Sequence, residues 1–191
     1  YRRLLETQPD PQGFGALSAS LLRDKKNVEL IELLGRAFTK PETLEAVKPQ
    51  VEAIANDPDY AAELLDAALG LQKADPPKLS RESRQVLAYV ANKAKKLDKL
   101  IELQRLALRQ DPSPQAYREF WLDLYRNGQY AEAAATLDEL MTKFPDERTA
   151  QILGALAQTR SLGGELEGGL EAAEEALKLD ANDQEALRLK G

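Results

Sequence analysis

The sequence contains no cysteine and no histidine. Without cysteine there is no disulfide frame, no thiolate nucleophile and no sulfur-based zinc site. Without histidine the commonest general base is missing as well. Strand-forming residues are sparse, and no apolar run approaches the roughly 20 residues that span a bilayer. No signal segment is visible. Lack of cysteine is neutral about compartment, so localisation stays open. What the chain has instead is Ala, Leu, Glu, Lys and Arg in abundance, all good helix formers. Its net charge of -6 directs the whole molecule away from nucleic acid and anionic membrane. A length of 191 residues suits one compact domain or one short repeat array.

Helix-ending signals recur along the chain, at Asn56-Asp57-Pro58, Ala74-Asp75-Pro76-Pro77, Gln110-Asp111-Pro112, Lys143-Phe144-Pro145 and Leu179-Asp180-Ala181. Proline cannot continue a helix and pushes the preceding residue out of helical angles. Pro112 and Pro145 stand 33 positions apart, Pro145 and Ala181 36. Between the stops the apolar spacing is helical. Tyr117, Phe120, Trp121, Leu124 and Tyr125 make one stripe, and Ala133, Leu137, Leu140, Met141 and Phe144 the next. Leu97, Leu100, Ile101, Ala107 and Leu108 form another, as do Leu166, Leu170, Ala173, Ala176 and Leu177. A stripe of this width must be covered by neighbouring helices. Short links such as Asn127-Gly128-Gln129 make those neighbours antiparallel. Gly128 and Gly164 stand where a left-handed helix end is wanted. The pattern predicts helices over about 13–25, 27–38, 41–56, 59–74, 80–95, 97–110, 114–127, 129–143, 148–162 and 165–179, with another beginning at 183–190. Pro49 should kink or split the third. Residues 1–11 are weakly specified, although Tyr1-Arg2-Arg3-Leu4-Leu5 reads as part of a helix.

A period near 34 with this arrangement of large and small residues resembles the tetratricopeptide repeat. Tyr117, Phe120 and Leu124 match the first helix of a unit, and Ala133, Leu137 and Pro145 the second. The following unit offers Leu153, Leu156-Ala157, Gly169, Ala173 and Ala176, and the preceding one Leu87-Ala88, Ala91, Ala107 and Pro112. Three units over residues 80–181 carry the resemblance. Residues 1–79 read as degenerate helical hairpins, and 80–191 as three repeats plus the start of a further helix. Three positions depart from the pattern. Trp121 stands where the family has Gly or Ala, so that spot must be widened or the ring turned aside. Arg160 replaces a bulky apolar residue, and Ala181 replaces the closing proline. The resemblance implies an all-α, right-handed α-solenoid of antiparallel helix pairs, continuous along the chain, that binds protein or peptide on a concave surface.

In this family first-helix residues between the packing positions line the concave groove. They would be Gln85, Tyr89, Asn92 and Lys93 in one unit, Arg118, Leu122, Tyr125 and Arg126 in the next, then Gln151 and Gln158. Tyr, Arg and Asn suit a binding surface, because rigid rings and planar donors lose little entropy when fixed. The family's carboxylate clamp for chaperone tails is not reproduced, which disfavours that ligand. Residues 81–109 hold eight basic residues against three acidic, and residues 165–190 eight acidic against three basic. The bland reading is two solvated faces; the functional one is a basic band that steers an acidic partner.

Other chemistry is weakly supported. Glu171, Glu174 and Glu175 fall on one helix face with Lys178 beyond, as in a solvated, salt-bridged surface. Asp180-Ala181-Asn182-Asp183 lacks the Gly and Glu of a calcium loop, so Asn182 or Asp183 reads as an N-cap. Gly163-Gly164 and Gly168-Gly169 lack the Lys-Ser/Thr of a phosphate loop. The reading is therefore a non-enzymatic interaction module with no cofactor or metal, no nucleic-acid ligand and no membrane insertion. Its alternative is an accessory segment of a larger enzyme or sensor. The start at Tyr1 and the two-turn stub before Gly191 suggest an excised piece of a longer array, whose terminal helices a second copy could cover.

Overall fold

The computed structural model describes residues 10–190, apart from the side chains of residues 185 and 190. It is all-α: no strand occurs among the described residues. Among the described residues eleven α-helices follow one another: α1 Pro11–Arg23, α2 Asn27–Ala37, α3 Pro41–Ala55, α4 Pro58–Lys73, α5 Arg81–Lys93, α6 Leu97–Gln110, α7 Pro114–Arg126, α8 Tyr130–Lys143, α9 Ala150–Leu162, α10 Leu166–Leu179 and α11 Gln184–Lys190. A short 3-10 turn, Pro145–Glu147, lies between α8 and α9. The Tyr1–Leu5 helix expected from the sequence lies outside the described residues.

Several helix starts are fixed by side-chain caps. Asp10, Asp57, Ser80, Ser113 and Thr149 each accept a hydrogen bond from a backbone N–H of the first turn. Asp183 does so for Ala186, at 2.9 Å, and so caps α11 in place of Asn182. Pro11, Pro41, Pro58 and Pro114 open their helices. There the missing N–H would have had no partner anyway. Helix ends follow an equally regular device. After α7 the Gly128 N–H bonds the Tyr125 carbonyl and the Gln129 N–H bonds that of Leu124, with Gly128 at φ 71°. The same pair of bonds closes α9 at Gly164, φ 87°, as the sequence indicated. It also closes α1 at Lys25 and α5 at Lys95, where no glycine announces it.

Contacts gather in two compact units, residues 1–106 and 107–191, with the boundary inside α6. In the first unit α1 packs on α2 and α3, while α2 packs on α3, α4 and α5. Leu30, Ile31, Leu34, Val47, Ile54, Leu64, Leu65 and Leu87 are fully buried between them. α3 runs unbroken through Pro49, so the expected split does not occur. Glu45, Lys48 and Pro49 face solvent, so the carbonyl that loses its N–H partner is left to water. Val47, Val51 and Ile54 meanwhile hold the helix to the core.

In the second unit α7 packs on α8, α8 on α9, and α9 on α10, with α11 against both α9 and α10. Tyr117, Phe120, Leu124, Ala133, Leu137, Leu153, Leu156, Ala157, Ala173 and Ala176 are all buried, as the repeat pattern requires. Arg160 fills its apolar position by laying its stem there, half-buried. Its guanidinium then reaches Asp138 at 2.8 Å and the Gly168 carbonyl at 3.3 Å. Glu175 pairs with Arg148, at 2.5 and 2.6 Å from one guanidinium nitrogen, which holds the arginine above its ordinary pKa.

One expected stripe is covered only in part, at Ala173 and Ala176. Leu166 and Leu170 remain 64% and 45% exposed. The seven residues of α11 follow a tight turn and reach back over only about 10 Å of α10 from its far end. Within α11 it is Ala186, with half-buried Leu189, that turns inward, while Leu187 stays exposed.

Candidate partner-binding faces

Tyr89 and Lys93 lie one turn apart on α5, and both reach Glu52 of the neighbouring α3. The Tyr89 hydroxyl donates to Oε1 and the Lys93 ammonium to Oε2. Lys93, and then Tyr89, hold the Glu52 carboxyl below its ordinary 4.5. The same contacts raise Tyr89 and Lys93 above their ordinary values. Asn92 is committed to its own helix, its amide donating to the Ala88 carbonyl at 2.8 Å. Gln85 is half-buried.

Beside this triad a cleft of about 230 Å³ opens between α3 and α5. Phe38, Leu44, Val51, Val86 and Tyr89 form its walls, with Glu45, Lys48 and Glu52 at the edge. Lys48 pairs with Glu45 at 3.2 Å. Sequence reasoning missed Phe38, Leu44, Val51 and Glu52, since residues 1–79 match the repeat only loosely. The available signal was the apolar spacing Leu44, Val47, Val51, Ile54 on one helix.

In the second unit α7 carries Arg118, Leu122, Tyr125 and Arg126. Arg118 is half-buried and forms an ion pair with Glu147 of the 3-10 turn. Leu122 and Tyr125 are half-buried, and Arg126 is exposed. The indole N–H of Trp121 donates to Thr159 Oγ1 on α9 at 3.2 Å. Its ring stands 5.7 Å from that of Tyr125, which stands 5.6 Å from that of Tyr130. A connected row of three half-exposed rings results. Gln158 is half-buried next to Thr159, and Gln151 is exposed. Below this face the Tyr117 hydroxyl donates to Glu139 and accepts from Lys143, both at 2.8 Å. Lys143, paired directly with Glu139 at 2.6 Å, and then the Tyr117 hydroxyl hold the Glu139 carboxyl below its ordinary value. Tyr89, Asn92 and Lys93 thus belong to the first unit, and Arg118, Leu122, Tyr125, Arg126 and Gln158 to the second.

Among the described residues no group of three or more metal-ligating side chains comes together, and no helix is long and apolar enough to cross a membrane. No protein-family model and no curated protein matches the sequence. Solved structures do. Nearly identical TPR-like repeats from Podospora anserina align over 93% of this chain and 99% of theirs, at 17% identity and a TM-score of 0.50. YrrB, a TPR protein with an unusual peptide-binding site, aligns over 99% of this chain and 96% of its own, at 15% identity and a TM-score of 0.49. MamA from Desulfovibrio magneticus RS-1 aligns over 92% of this chain and 78% of its own, at 17% identity and a TM-score of 0.45. The repeat spacing, the hairpin turns and the likeness to the Podospora anserina repeats converge: the chain has a tetratricopeptide-like helical-repeat fold.

Proposed function

We propose that the chain is a non-catalytic interaction module that holds a peptide or protein partner on the α7 face of its second unit. The row Trp121, Tyr125, Tyr130 carries the reading. These rings are fixed in advance, by Thr159 at one end and by each other, yet remain half-exposed. A partner meeting them loses little side-chain entropy at the interface. Leu122 adds apolar surface, and Arg118 and Arg126, eight residues apart, lie about 12 Å apart along the helix. An acidic segment suits this pair. At Arg118 it competes with Glu147, so Arg126 supplies the larger share of charge attraction.

The test is selection of peptides from a random displayed library on the immobilised 191-residue chain. Affinities of the winners are then measured by fluorescence polarisation. Leu122→Asp and Arg126→Glu should each weaken binding about tenfold or more, equivalent to about 1.4 kcal/mol, with the helical circular dichroism unchanged. Unaltered affinity in both variants would overturn the reading.

A further inference from the structure

We infer that the α3–α5 cleft of the first unit is a separate subsite that takes one uncharged, bulky apolar side chain, of the leucine or phenylalanine kind, from a partner peptide. Its walls are apolar and open. Phe38 and Tyr89 remain 37% and 46% exposed, although each is large enough to gain by burial. Leu44, Val51 and Val86 complete the lining. At about 230 Å³ the cleft is smaller than the roughly 300–1,000 Å³ of sites that enclose a whole drug-sized ligand. It has room for one large side chain, the usual anchor of a peptide contact.

The charges at its edge decide which side chain. Each is already matched within the chain: Lys48 to Glu45, Lys93 to Glu52, with the Tyr89 hydroxyl also on Glu52. A carboxylate entering the cleft would have to draw Lys48 off Glu45 or Lys93 off Glu52, and an ammonium would have to draw Glu45 off Lys48 or Glu52 off both its donors. Either exchange breaks one charge-assisted pair to form another and adds the cost of desolvating the newcomer. An apolar side chain disturbs none of these contacts. The preference at this cleft therefore differs from the acidic one proposed for the α7 face, and it does not depend on that proposal.

The experiment is a ¹⁵N chemical-shift titration of the whole 191-residue chain with three probes: N-acetyl-leucinamide, N-acetyl-phenylalaninamide and the charged N-acetyl-aspartate amide. The first two should produce saturable shifts centred on Phe38, Leu44, Val51, Val86 and Tyr89. The aspartate probe should bind at least fivefold more weakly. Tyr89→Ala removes one exposed wall and should weaken the apolar probes at least fivefold. Glu52→Gln frees Lys93 and should bring the aspartate probe to within twofold of the leucine one. Equal binding of charged and apolar probes by the unmodified chain would overturn the inference. So would shifts centred elsewhere, or apolar binding that survives Tyr89→Ala unchanged. Peptides selected on the α7 face would still bind in each of those cases, so the two proposals fail separately.

Discussion

Gly35 on α2 lies so close to Ser83 on α5 that a Cβ there would stand 2.2 Å from the Ser83 hydroxyl oxygen. That hydroxyl is not free to move away, because it donates to the Ile31 carbonyl at 3.1 Å and accepts from Ser80 at 3.1 Å. Backbone contact between helices separated by more than forty residues is thus made at a glycine. Gly35→Ala should lower stability by about 1–3 kcal/mol, the usual cost of overpacking. Gly70 is the control: it sits in α4 with nothing within 4 Å of an added Cβ. Gly70→Ala should raise stability by about 0.5–1 kcal/mol. Urea denaturation followed by circular dichroism reads both, and equal effects of the same sign would refute the packing argument.

Leu137 is fully buried in the second unit, at 0% exposure, on the stripe that α8 turns inward. Leu137→Ala should cost roughly 2–5 kcal/mol. A loss below about 0.5 kcal/mol by the same denaturation measurement would mean that α8 packs differently.

Lys95 closes α5 with φ at 57°, a left-handed conformation that costs a side-chain-bearing residue about 1–2 kcal/mol. Gly128 meets the same geometry after α7 without that strain. Lys95→Gly should therefore raise stability by roughly 0.5–1 kcal/mol, after the extra entropy glycine has in the unfolded chain. The shift in denaturation midpoint checks it, and a clear decrease would show that the lysine side chain contributes more than its backbone costs.

Glu52 gives a pH signature. Its folded pKa is depressed, so its contribution is present above the ordinary 4.5 and is lost as pH falls through the lower folded value. Lys93 and Tyr89 are raised, so theirs persist to their ordinary values and are lost only at higher, alkaline pH. Between those limits the triad is intact. Glu52→Gln should lower the melting temperature at pH 7, and the gap to the unmodified chain should close as pH drops below about 4.5. A gap independent of pH would show that the loss is steric rather than electrostatic.

The sequence by itself determined the helices and most of the inward faces. Period-3.6 apolar stripes, capping Asp, Ser and Thr residues and first-turn prolines are local properties, and each acts within one or two turns of chain. The inward positions Tyr117, Leu137 and Ala173 of the second unit were legible for the same reason: they meet their partners through short hairpins. Tertiary structure decided what depends on residues distant in the chain. Lys25 and Lys95 adopt the glycine turn because the hairpins around them impose it, and a lysine announces nothing of the kind. Pro49 is carried through α3 because packing on one side and solvent on the other tolerate a missing hydrogen bond. Leu166 and Leu170 stay exposed because an apolar stripe is covered only where a neighbouring helix lies against it, which no local pattern reports. The α3–α5 cleft is of this second kind. Tyr89 and Lys93 were readable as outward-facing, but Phe38, Leu44 and Glu52 join them only once α3 and α5 lie side by side, and it is Glu52 that cancels the charge at the edge.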